Sequence, residues 1–145
     1  MPNTKKHAKY FEGTLQLRDT TKELLDFVAD EIARAGVTIA RANTLKNGID
    51  LYLSSQKFMC SLGKKMQERF GGILKITKRL HTVSKVTSKL LYRVTVLFRM
   101  LPFKKGDIVK FRGKEWAILG IDAQVRLKET TTGEKKRVRA EELIS

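Results

Sequence analysis

Apolar and polar residues alternate over residues 10–18, YFEGTLQLR, which places Phe11, Leu15 and Leu17 on one side, as in a half-buried strand. The period then lengthens to that of a helix, with Leu24, Leu25, Phe27, Val28 and Ile32 on one stripe. Thr20 and Glu23 have the capping-box spacing that satisfies free backbone donors at a helix start, and Gly36 supplies a stop. Residues 37–44 and 49–53 read as two strands around Asn47-Gly48, the preferred pair for a tight hairpin turn. Ser54 or Ser55 can cap a second helix whose Phe58, Met59, Leu62, Met66 and Phe70 share a face, ending at Gly71 and Gly72. Two further strands, residues 73–82 and 90–100, flank a short polar loop at 83–89.

The order strand, helix, strand, strand, helix, strand, strand predicts an α+β fold. An antiparallel sheet with both helices on one face accommodates it with short connections and leaves the other face open. After Pro102 the pattern changes to short strands at residues 107–111, 115–121, 124–129 and 136–139, separated by turn signals at Arg112-Gly113, Asp122 and Gly133. Such strands pack naturally as a small closed or nearly closed barrel. The expected organisation is a basic lead at residues 1–9, an α+β domain at 10–101 and a barrel at 102–145.

Charge adds what periodicity does not. The 145 residues hold 30 Lys and Arg against 15 Asp and Glu, a net charge of +15. Between residues 57 and 89 there are nine cations, Lys57, Lys64, Lys65, Arg69, Lys75, Lys78, Arg79, Lys85 and Lys89, against one acid, Glu68. Most charge runs are solvated faces, but the lack of interleaved acids favours a polyanion, RNA first. Lys135, Lys136, Arg137 and Arg139 form a second cluster, so the thirteen together are the candidate RNA-binding residues and imply an elongated, salt-sensitive footprint. Open sheet faces are common RNA platforms, and Tyr10, Tyr52, Tyr92 and Trp116 are candidates for stacking on unpaired bases, although core packing is the expected role of each.

No catalytic, metal or cofactor site is expected. Cys60 is the single cysteine and has no neighbouring base, His7 and His81 lack partners, and Gly71-Gly72 resembles neither a P-loop nor a dinucleotide fingerprint. No stretch reaches the ~18 apolar residues of a membrane helix. The expectation is a soluble cytoplasmic protein, not an enzyme, with no membrane partner and no small-molecule substrate.

Four segments, YFEGTLQLRD, NGIDLYLSSQK, ERFGGILKITKRL and YRVTVLFRMLPFKKGDIV, resemble the archaeal relatives of the eukaryotic nuclear export adaptor of the large ribosomal subunit, the nonsense-mediated-decay protein three family. The resemblance implies a domain similar to a eukaryotic-type large-subunit ribosomal protein, followed by an SH3-like barrel similar to the first domain of the hypusine-containing translation factor. It implies an rRNA-binding factor on the intersubunit side of the large subunit near the tRNA exit site, acting in late maturation or as a tRNA-excluding placeholder. Partners would be large-subunit rRNA, neighbouring ribosomal proteins and the stalk near the exit site. A permanent small ribosomal protein and a free tRNA- or mRNA-binding module are the alternatives. Two departures stand out. The family's zinc-binding region of paired cysteines has no counterpart here, and residues 120–124 form a short turn where the hypusine-bearing hairpin would be, so no hypusine is expected.

Overall fold

The computed structural model describes residues 10–83 and 90–144. Its first part follows the expected order: β1 (Gly13–Arg18), α1 (Lys22–Ala35), β2 (Ile39–Leu45), β3 (Gly48–Leu53), α2 (Gln56–Phe70), β4 (Ile73–Val83) and β5 (Leu90–Arg99). The five strands make one sheet in the order β2-β3-β1-β5-β4. The sheet is not wholly antiparallel as expected, because β1 and β5 run parallel, with Leu15 beside Val96 and Leu17 beside Phe98. Connectivity is the reason. After α2 the chain lays β4 at the outer edge, and the return strand β5 enters the sheet beside β1 in the same direction. A parallel neighbour needs a long crossover, which the whole segment between β1 and β5 supplies.

Both helices cover one face, as the pattern predicts. Leu15, Leu17, Leu51, Leu53, Val94, Val96 and Phe98 point into a core completed by Leu24, Val28 and Ile32 of α1 and Met59, Leu62 and Met66 of α2. Local signals are shifted by a residue in two places. Thr21, not Thr20, caps α1, its Oγ1 accepting from the Leu24 N–H at 3.2 Å. The β2–β3 turn is Lys46-Asn47, since Leu45 pairs with Gly48. Gly48 is therefore a strand residue, and its role is close approach: a Cβ there would lie 1.9 Å from the Leu17 carbonyl oxygen. Ser55 caps α2 by accepting from the Phe58 N–H, while Ser54 accepts from Thr38 and ties down the start of β2.

The second part is an antiparallel meander, β6 (Ile108–Phe111), β7 (Lys114–Ile121), β8 (Val125–Glu129) and β9 (Lys135–Val138), followed by a short α3 (Ala140–Ile144). Among the described residues β6 and β9 remain the two edges of the sheet, so the closed form of the expected barrel is not seen. The unpredicted α3 packs against β6, with Ala140 buried. Glu142 starts it by accepting from the Arg139 N–H at 2.9 Å, the carboxylate half of a capping box. Trp116 lies in the core as expected, 4% exposed, its indole N–H donating to the Phe111 carbonyl at 3.1 Å.

The two sheets share a seam. Ile73 at the start of β4 is buried in the second core with Leu101 and Phe103. Gln67 of α2 donates to the Ile121 carbonyl at 2.9 Å, and the Leu74 N–H donates to the Asp122 carbonyl at 3.2 Å. These two bonds, with the shared packing of Ile73, fix how the second sheet meets the end of the first.

Candidate nucleic-acid interface

The cations of residues 57–89 do not meet on one surface. Lys85 and Lys89 lie outside the described residues, as does the basic lead at residues 1–9. Lys57, Lys64, Lys65 and Arg69 are on α2, behind the sheet. Register divides the cations of β4: Lys78 pairs with the buried Val94 and so points to the helix side, whereas Lys75, opposite Leu97, and Arg79, opposite Arg93, point to the open side. The helix side is also electrically mixed. Lys65 lies 2.9 Å from Glu31, which Arg34 also binds at 2.7 Å, and Arg69 stacks over Phe27 and Phe70 beside Glu23, Asp26 and Asp30. The hydrogen bond from Lys65, against the opposing effect of burial, holds the Glu31 carboxyl below its ordinary range.

The open face of the first sheet has a different composition. Across its lower half run Arg41 over the Tyr52 ring at 5.5 Å, Tyr52 edge-on to Phe11 at 5.0 Å, and Arg93 over the Phe11 ring at 3.9 Å. Arg79 stands directly opposite Arg93 across the β4–β5 pair. Among the described residues, Asp50 on this face is taken by Arg18 at 2.8 Å and Asp19 at its end by Arg99 at 2.8 Å. Arg41, Lys75, Arg79 and Arg93 have no carboxylate within ion-pair distance among the described residues. Tyr52, half-buried, thus belongs to the open face and not to the core, and Tyr10 and Tyr92, 37% and 44% exposed, likewise depart from the expected core role. Burial and a 2.6 Å hydrogen bond to Glu12 push the Tyr10 phenol up to about 12. Glu12 also accepts from the Gln56 N–H at the start of α2, which anchors the segment that carries Phe11.

On the second sheet the alternation of β8 and β9 separates a core face from a cationic one. Lys136 lies on the core side, its ammonium 5.6 Å from the Phe111 ring centre. Lys135 and Arg137 lie on the other side, directly opposite Lys128 and Arg126. Only Arg126 has an acid near, Asp122 at 3.9 Å. Beneath this face Glu129 is 4% exposed and bound by Thr132 and Lys114; the Thr132 hydrogen bond is the main cause of its lowered pKa. Arg139 lies beyond β9, exposed at the start of α3.

Three cross-strand pairs are therefore cation against cation: Arg79 with Arg93, Arg126 with Arg137, and Lys128 with Lys135. Like charges directly opposite each other destabilise a sheet. β4 and β9 are edge strands, where a Lys or Arg alone deters unwanted strand pairing. That explanation does not reach Arg93, Arg126 and Lys128, which sit on the interior strands β5 and β8. A bound polyanion would offset the repulsion at all three pairs. Arg41, Arg93, Phe11, Arg126 and Lys128 were absent from the expected interface. The alternation VRLKE at 125–129 carries a signal for the last two cations, whereas Phe11, Arg41 and Arg93 are brought together only by the sheet.

Residues 10–100 match the model of a protein family described as NMD3, second domain. The chain belongs to the NMD3 family. Membership agrees with the resemblance of its four segments and brings an RNA-binding association with the large ribosomal subunit and its biogenesis. The matched stretch contains the whole first sheet, including the aromatic and arginine platform, and ends where the chain crosses into the second core. No curated protein sequence matches the chain. No helix among the described residues is long and apolar enough to cross a membrane.

Proposed function

We propose that this protein is a non-enzymatic rRNA-binding factor on the intersubunit side of the large subunit near the tRNA exit site. It acts in late subunit maturation or holds the site against tRNA. The mechanism is steric occupancy: phosphate contacts give affinity, and the fixed seam between the sheets gives position. Contacts with neighbouring ribosomal proteins and the stalk near the exit site belong to the same reading.

The observation that carries it is the pair of sheet faces on which cations stand directly opposite cations, one on each sheet, in a chain whose first sheet matches the NMD3 family. The paired cations release counterions when they neutralise phosphates, so binding weakens steeply with salt. The test is sedimentation of cell lysate with quantification of this protein per large subunit. Substoichiometric presence on free large subunits, and absence from translating ribosomes, is the expected result. One copy on every translating ribosome would make it a permanent ribosomal protein, and failure to co-sediment at low salt would leave a free RNA-binding module.

A further inference from the structure

We propose that the lower half of the first sheet's open face binds an unpaired RNA base, stacked on the Arg41–Tyr52–Phe11–Arg93 array. The identity of the RNA rests on the large-subunit reading above; the stacking site rests on the geometry alone.

Three features of the face select this ligand over a bare phosphate chain. First, planar groups of two kinds meet, two rings between two guanidiniums. Guanidinium lies over ring at both ends, 5.5 Å at Arg41 and 3.9 Å at Arg93, and the two rings meet at an interplanar angle of 84°. Bases stack on aromatic rings and on guanidinium planes alike, whereas a cluster that only neutralises phosphate needs no ring. Second, among the described residues Arg41, Arg79 and Arg93 have no carboxylate within ion-pair distance. Arg79 and Arg93 oppose each other directly, while Asp50 is held by Arg18 and Asp19 by Arg99. A nucleotide brings the missing negative charge on the phosphates that flank its base. Third, register places Thr14 beside both Tyr52 and Thr95, and Thr95 beside Thr77, on the same face. These hydroxyls can meet base edges or a 2′-hydroxyl. A duplex keeps its bases stacked on one another and out of reach, so the site discriminates single strand from duplex.

The test uses the full chain and two short RNAs of equal length, one single-stranded with a central 2-aminopurine and one duplex. Expected for the parent protein are tighter binding to the single strand and a change in 2-aminopurine emission on binding. Phe11→Leu keeps apolar bulk and removes the ring; it should lower the single-strand to duplex affinity ratio about tenfold, the effect of losing one stacking partner. Arg93→Lys keeps the charge and removes the plane, and should suppress the emission change while leaving the salt dependence as it was. Phe11 precedes β1 and Arg93 lies where β5 extends past its pairing with β1, so both changes spare the core, and an unaltered thermal midpoint checks this. Equal parental affinity for the two RNAs, or an unchanged ratio in both variants, overturns the proposal. Co-sedimentation with large subunits, read on the same preparations, separates the two readings: retained binding without stacking removes this site alone, and stacking without co-sedimentation removes only the ribosomal reading.

Discussion

The two cationic faces share an arrangement and differ in what accompanies it. On the outer face of β8 and β9, four cations oppose each other in two pairs, and none of the ring contacts lies on that side. On the open face of the first sheet the opposed pair Arg79–Arg93 continues into two aromatic rings. Cations alone read a phosphate backbone, which has the same charge whatever the sequence or pairing. Rings interleaved with arginines read a base, and a base is available only where a strand is unpaired. The comparison teaches that two faces of one chain with alike charge can differ in the rings beside it, and that net charge does not distinguish them; on the proposals above they would be two RNA surfaces of different selectivity.

Removing the phosphate-reading face gives the largest effect. Reversing Arg126, Lys128, Lys135 and Arg137 to Glu should weaken large-subunit binding by about a thousandfold or more. It should also make the slope of log affinity against log salt shallower by about 3.6, near 0.9 for each of the four lost phosphate contacts. An unchanged slope in a salt titration would show that this face is only solvated.

Next comes the division of β4. Lys75→Glu with Arg79→Glu should cost about 10- to 100-fold in affinity, while Lys78→Glu, on the other side of the same strand, should cost far less. Equal losses would mean that register does not matter and that the strand binds as an undifferentiated run of charge.

Gly48→Ala tests the scaffold under the base-reading face. The added Cβ meets backbone, which cannot move aside cheaply, so destabilisation of about 2–3 kcal/mol is expected by denaturant unfolding. Trp116 emission, reporting on the second core, should keep its native value before the transition. Parental stability would show that β3 does not approach β1 so closely.

The smallest effect is on acid stability. Glu31 and Glu129 have pKa values below the ordinary 4.5, so each contributes stability that is present above that value and lost as pH falls below it. Glu129→Gln should flatten the acid limb of the stability curve under the second sheet, and Glu31→Gln should do so on the helix side of the first. Thermal midpoints between pH 6 and pH 3 measure this, and an acid limb as steep in the double variant as in the parent would assign it to other groups.

The alternation of residues 10–18, the two helical stripes and the turn residues made the α+β order legible, because burial periodicity is a local property. The use of Gly48 as a close-approach residue was not, because it depends on the Leu17 carbonyl of another strand, and the capping shift from Thr20 to Thr21 turns on which of two adjacent hydroxyls stands three residues before the free Leu24 N–H. α3 escaped notice since its start signal, Glu142, acts on the main chain at Arg139 without a capping hydroxyl.

By itself the sequence determined the excess of cations, the amphipathic helices, the run of strands and the family, all of which follow from residue types and their spacing along the chain. Tertiary structure alone decided which cations act together. Side chains alternate sides with every residue of a strand, so neighbours in sequence such as Lys78 and Arg79 part company. Register then sets residues far apart in the chain side by side, Phe11 with Arg93 and Arg41 with Tyr52, and it is there that a basic stretch becomes a surface of rings and cations together.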